Sequence, residues 1–232
     1  MNTLNLDTLT LLKGAHDDAE AGMCLLEAVS YVAGEKHSDH PKCTSPVLST
    51  FGWGLNDVLP DDERQALRNY IPSMIGTAGD GHDEARSYLA LDWLIRTHMP
   101  AFLALHETTR EHSTAARALA PIVDMPTAAR AGVVVRAARA AARTAAWTAA
   151  RTAAWTAAGD AAGDAAWDAA GDAARDAAGT AALTAARTAA WDSAWDAARA
   201  FLAPTVTELQ DSAVQLMGRM IDPSLPNSGD TS

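Results

Sequence analysis

Residues Arg143–Ala158 read RTAAWTAARTAAWTAA, and the same unit of four, x-[Thr/Asp]-Ala-Ala, runs from Arg139 to Leu202 for about sixteen repeats. Alanine, the strongest helix former, holds about half of these positions, so the tract is expected to be helical despite its threonines, aspartates and few glycines. As one continuous helix it would span roughly 96 Å at 1.5 Å per residue, longer than any compact domain a chain of this size builds.

Residues four apart on a helix of 3.6 per turn are offset by roughly 40°, so the x positions trace a right-handed spiral that circles the helix in about nine repeats. One turn of that spiral covers roughly 54 Å, far tighter than the pitch of about 150 Å in two-stranded coils, and a long conventional coiled coil is disfavoured. The x positions hold the large residues: Trp147, Trp155, Trp167, Trp191 and Trp195, with Leu183 and six arginines from Arg139 to Arg199. At about 100° per residue, Trp155, Trp191 and Trp195 share a narrow sector, whereas Trp147 and Trp167 fall on opposite sides of it. A lone straight helix would leave tryptophan around its circumference and forfeit the roughly 150–250 Å² that each buries when packed. Three arrangements escape this. The helix breaks near Gly159–Asp164 (GDAAGD) and folds back as a hairpin capped by Asp160 or Asp164, partner chains cover it, or the N-terminal helices wrap it on different sides. The aspartates from Asp160 to Asp176 read as a solvated face, because oxygens spaced four apart along a rod do not converge on one cation.

The charge is uneven. Of the formal net charge of −11, residues 1–135 carry 10 Lys+Arg against 18 Asp+Glu, residues 136–203 carry 7 against 7, and the remainder 1 against 4. An acidic N-terminal part beside a neutral repeat lacks the positive footprint that releases counterions from phosphates, so no nucleic-acid partner is expected. Two cysteines, Cys24 and Cys43, are too few for a disulfide framework, which makes a reducing cytoplasm the expected compartment. No run of about 18 strongly apolar residues exists to span a membrane, and residues 1–12 do not have the form of a signal peptide.

The flanks follow ordinary helical patterns. Asp17–Ala33 places Met23, Leu26, Val29 and Val32 near helical spacing, with acids in its first turn and Gly34 at its end. Val47 to Val58 reads as a short helix weakened by Gly52 and Gly54, and Pro60 with three acids opens another that Pro72 ends or kinks. Asp83–His98 is the strongest amphipathic segment, through Tyr88, Leu91, Leu94 and Ile95, and is expected to stop before Pro100. Thr127 is the N-cap candidate for the segment that leads into the repeat. Pro204 is expected to interrupt, after which Val206, Leu209, Ala213, Leu216, Met217 and Met220 give a C-terminal helix that packs. No stretch alternates with period two. The expected architecture is all-α: an acidic helical domain over 1–126, an Ala-rich arm over 127–203, a helix over 204–222 and a disordered tail over 223–232.

Candidate chemistry is sparse. His37, Asp39, His40 and Cys43 (HSDHPKC) form the densest set of potential metal ligands, with Cys24 on the preceding helix. No second Cys/His pair at ligand spacing completes a zinc site, and a polar turn before Pro41 is the plainer reading. His106 and His112 in HETTREH stand six apart, whereas a metalloprotease helix needs four. His82, Asp83 and Glu84 read as a helix start. There is no phosphate-binding glycine loop and no nucleophile elbow, so neither a cofactor nor catalytic residues are assigned.

The string Cys24–Val47 (CLLEAVSYVAGEKHSDHPKCTSPV), followed by Leu55-Asn56-Asp57, by Leu59-Pro60-Asp61 and by Arg86–Arg96 (RSYLALDWLIR), resembles an uncharacterised protein family of actinobacteria and their phages. That family commonly carries an alanine-rich tract of similar tetrads, followed by a helix resembling Leu209–Ile221. The resemblance implies a cytoplasmic protein of phage or bacterial origin and transfers no activity.

These readings favour a non-enzymatic helical interaction protein that self-associates or binds a protein partner through Trp147, Trp155, Trp167, Trp191 and Trp195. The alternatives are a small metal-dependent enzyme or metal-binding protein using the His37–Cys43 loop, with Asp92 or Glu27 nearby, and a phage inhibitor of a host protein.

Overall fold

The structure, a computed structural model, describes residues 5–168 and 200–223; along the long helix the side chains of 146, 147 and 149–168 fall outside that description. The fold is all-α. Its elements are α1 (Leu25–Ala33), α2 (Pro46–Val58), α3 (Asp61–Arg64), a tight turn of helix over Gln65–Tyr70, α4 (Ile71–Met74), α5 (Asp83–Trp93), α6 (Met99–Leu103), α7 (Arg110–Arg117), α8 (Met125–Asp168) and α9 (residues 200–221). Among the described residues the only extended pairing is an isolated bridge between Leu11 and Met23.

The first helix is shorter than its periodicity suggests. It begins at Leu25, because Gly22 sits at φ +130° in a turn where a Cβ would run into Leu12, and Cys24 remains extended as the N-cap. Glu27, three residues after the cap, reaches back to accept the Cys24 N–H at 2.8 Å, the carboxylate half of a capping box. Asp17, Asp18 and Glu20 therefore precede the helix, and Asp18 accepts from the Glu20 and Ala21 N–H groups in a turn of its own. At the other end Gly34 takes the left-handed conformation expected of it and its N–H returns to Tyr31 O.

Pro100 does not stop the α5 segment. From Leu94 to His98 the helix widens to i→i+5 bonding, with the Met99 N–H reaching Leu94 O, and continues as α6 across the proline. A widened turn moves aside the carbonyls that the ring would strike. The cap of α8 is Asp124 rather than Thr127: Asp124 Oδ1 accepts the Thr127 N–H at 2.8 Å, while Thr127 Oγ1 accepts the Asp124 N–H at 3.1 Å. From there α8 runs 44 residues without interruption. A break at Gly159–Asp164, one of the three arrangements considered, is absent, since isolated glycines set among alanines each cost a helix only about 1 kcal/mol. The helix of residues 200–221 likewise passes through Pro204 instead of starting after it.

The main core gathers both ends of the chain. Leu9 and Leu11, the α1 residues Leu25, Leu26 and Val29, Leu48 and Leu55 of α2, Leu67, Ile71 and Met74 meet Ala213, Leu216, Met217 and Met220 of α9. Gly52 permits the closest of these approaches, for a Cβ there would lie 2.9 Å from Met217 Cε and 3.3 Å from Leu25 Cδ2. Arg86 fastens α9 in place. Its side chain is fully buried, donates from Nε to Met220 O at 2.8 Å and grips Asp80 through both Nη atoms. A guanidinium at the C-terminal carbonyls of a helix also meets the negative end of its dipole. Trp93 Nε1 donates to Ser212 Oγ, and Tyr70 Oη to Val214 O, along the same helix.

A second, smaller core of Ile95, Ile122 and Ala131 seats the start of α8. Ala128, Ala131, Val135, Ala138, Ala142 and Ala145 are its inward positions, spaced alternately three and four apart. That spacing follows the straight face of a helix, which the period of four beyond it does not.

Candidate functional site

Glu27 is a buried carboxylate held on both of its oxygens. Its side chain is 1% exposed, with Oε1 accepting the His16 N–H at 2.6 Å and Oε2 accepting both His16 Nδ1 and the Cys24 N–H at 2.8 Å. His37 completes the cluster: its Nε2 donates to His16 O at 3.0 Å and lies 3.6 Å from Glu27 Oε1, while its Nδ1 is buried without a partner. Burial alone pushes the Glu27 carboxyl up, but the N–H groups of His16 and Cys24 and the His16 ring pull it further down, so it sits below the usual glutamate value. The cluster ties three segments together around the first turn of α1. Nothing in the sequence flagged His16, which lies eleven residues upstream in irregular chain.

The four sequence candidates for metal binding are not brought together. Cys24 is the buried N-cap of α1, its thiol pushed up to about 12 by burial. His37 belongs to the Glu27 cluster, whereas His40 stands exposed with its ring edge-on to Trp53 at 6.3 Å. Cys43 faces Thr44 Oγ1 at 3.8 Å, its thiol also pushed up by burial. Asp92 is occupied by Arg96 and by the Ile122 N–H. Among the described residues, no group of three or more His, Cys, Asp or Glu side chains is set to hold a metal ion. His106 caps the turn over Glu107–Thr109, and Asp83 opens α5 while accepting from Ser45 Oγ and Arg86.

Two of the openings are mainly apolar. A groove of about 720 Å³ lies between α2, α5 and α9, walled by Val47, Phe51, Val58, Trp93, Ala213 and Met220. Gly54 lines it as well, and a Cβ built there meets nothing within 4 Å. From the groove an aromatic row, Phe51–Trp93–His98–Phe102, runs with successive centroids 6.4, 5.2 and 5.1 Å apart, and burial pushes the His98 imidazole down. It ends at a second opening of about 490 Å³, where Phe102 and His106 face Ala142 and Ala145 of α8.

No family model, no curated protein and no solved structure matches this chain. The site therefore has to be read from its own geometry. Of the five arm tryptophans, Trp147, Trp155 and Trp167 lie on helical backbone in α8, and Trp191 and Trp195 lie outside the described residues. No helix of the described residues is long and apolar enough to cross a membrane.

Proposed function

We propose that this chain is a non-enzymatic, all-helical interaction protein that self-associates through its alanine-rich arm. The observation that carries the reading is length. α8 is 44 residues of uninterrupted helix, which is about 66 Å at 1.5 Å per residue. A compact body made of the remaining described residues would be only about 37 Å across. Among the described side chains the inward face of α8 ends at Ala145, and Thr148 is already exposed. The helix then continues for 23 residues to Asp168, about 35 Å of rod.

An alanine-rich helix of that length gains little from its own surface, because alanine buries little area, and helices in proteins draw most of their stability from tertiary packing. Tryptophans recurring along the same tract supply the large apolar area that a second helix would cover. The buried Glu27 cluster belongs to the body's internal bracing, with its polar atoms turned toward one another and not toward an opening.

Size-exclusion chromatography with light scattering on the full-length protein tests this. The expected result is a species of at least twice the 24.3 kDa chain mass that dissociates on dilution. A strictly monomeric chain at every concentration, with tryptophan emission typical of water-exposed indole, removes the self-association reading.

A further inference from the structure

We propose that one straight face of α8, basic at its near end and acidic at its far end, is the seat for the same face of a second copy, the two arms running antiparallel. The proposal rests on the self-association reading above and gives it a face, a direction and a register.

The charges along α8 are sorted. From Met125 to Ala158 the helix carries Arg130, Arg136, Arg139, Arg143 and Arg151 and no acid, and its acids are Asp160, Asp164 and Asp168. At about 100° per residue, positions 136, 139 and 143 fall with 164 and 168 inside one sector of about 80°. The positions against the body, such as Ala131, Ala138 and Ala142, centre about 90° to one side of that sector. Arg136, Arg139 and Arg143 are accordingly exposed. Between its two charged ends the face passes through positions 146, 150, 154, 157 and 161, every one an alanine. The x positions of the repeat spiral, but this face steps by three or four and stays straight.

Neither charged end has an opposite charge at helical spacing on its own helix. No acid lies within four positions of Arg136, Arg139 or Arg143, and no Lys or Arg within four of Asp164 or Asp168. The body's ion pairs among the described residues engage Arg64, Arg86 and Arg96 instead. Like charges four apart, as Arg139 with Arg143 and Asp164 with Asp168, weaken an isolated helix, a cost that opposite charges on a second helix remove.

An antiparallel partner supplies them in register. Both pairs are four residues apart, so a second α8 running the other way sets 139 against 168 and 143 against 164 together. The two-fold axis, between positions 153 and 154, repeats both contacts at the other end. A parallel partner in register would set arginine on arginine and aspartate on aspartate, so the pattern selects direction as well as partner. Alanines at the centre allow the axes to approach at the close end of the usual range of about 8–10 Å. From 136 to 168 the seam is about 48 Å long. Positions Trp147 and Trp167 flank it on opposite sides, whereas Trp155 lies on the side away from it.

The test uses full-length protein in sedimentation equilibrium at about 50 mM and about 500 mM salt, where exposed charges are weakly and strongly screened respectively. Native protein is expected to form a two-chain species that weakens at high salt. Arg139→Glu with Arg143→Glu, and separately Asp164→Lys with Asp168→Lys, are each expected to weaken association about tenfold or more at low salt. The chain carrying all four exchanges restores every opposite-charge pair and is expected to associate within about threefold of native protein. Circular dichroism melts establish that each variant keeps its helix. If both double variants associate like native protein, this face is not the seat and self-association through another face of the arm survives. If the fourfold variant stays as weak as the doubles, or if native protein builds an open ladder of species, the antiparallel register is overturned. If native protein stays monomeric throughout, both readings fall.

Discussion

Replacing Glu27 by glutamine subtracts one charge and almost no volume from a side chain that is 1% exposed. The carboxylate accepts three hydrogen bonds, two at Oε2 from His16 Nδ1 and the Cys24 N–H and one at Oε1 from the His16 N–H. Glutamine offers only one acceptor oxygen, so its amide nitrogen must face at least one of these donors and leave it unsatisfied. A hydrogen bond to a charged group contributes about 1.5–3 kcal/mol, and stranding a buried donor costs about 1–3 kcal/mol. The expected loss is about 2–4 kcal/mol, large against the roughly 5–15 kcal/mol of a typical domain. Urea unfolding followed by circular dichroism at pH 7 measures it directly, and the melting temperature should fall by about 5–15 °C. The pH dependence fixes the cause. Because the folded carboxyl titrates below its ordinary value of 4.5, its contribution is complete above that value and disappears as pH falls through the lower folded one. The gap between native protein and Glu27→Gln should therefore be full at pH 6–7 and narrow below about pH 4. An unchanged midpoint at pH 7, or a gap that persists in acid, would refute the reasoning.

Met217→Ala, at a fully buried α9 position against Gly52, should cost about 2–5 kcal/mol in the same assay; a loss under about 1 kcal/mol would mean that α9 is not part of the core. Gly54→Ala should stabilise by about 0.5–1 kcal/mol through helix propensity. Gly52→Ala should be the less stable of the two by about 1–3 kcal/mol, since its Cβ must displace Met217 and Leu25. Asp80→Asn should lower the urea midpoint at pH 7 and match native protein in strong acid, because the hydrogen bonds from Arg86 hold the Asp80 carboxyl well below its usual value. Stability from such a group exists above the unfolded carboxyl range and is lost as pH falls.

Patterns local to one helix were legible. Leu209, Ala213, Leu216, Met217 and Met220 are all buried as their spacing indicates, although Val206, one turn earlier, is 37% exposed. The left-handed Gly34 also stands where the chain suggests. Features that depend on distant segments were not legible. Arg86 reads as an ordinary polar residue of α5, yet its environment is set by Met220, 134 positions away. The groove is assembled from α2, α5 and α9, and no one of these sequences shows it. Periodicity misplaced the start of α1, because apolar spacing continues upstream through a turn that Gly22 and the Cys24–Glu27 cap define. It also misjudged Pro100, whose clash a widened turn absorbs. The loop HSDHPKC looked like a ligand set because its residues are close in sequence. In space they diverge, and the companion that His37 does find, His16, lies in a segment with no pattern at all.

α8 runs as one continuous rod beyond the body as far as Asp168. Paired spin labels at Val133→Cys, an exposed position, and Asp168→Cys measure it most directly, in full-length protein with Cys43→Ser and an excess of unlabelled chain to suppress distances between copies. Thirty-five residues of unbroken helix predict a distance centred near 53 Å at 1.5 Å per residue. A hairpin turning at Gly159–Asp164 would bring residue 168 back beside residue 155 and centre the distance near 35 Å, and that result would contradict the account.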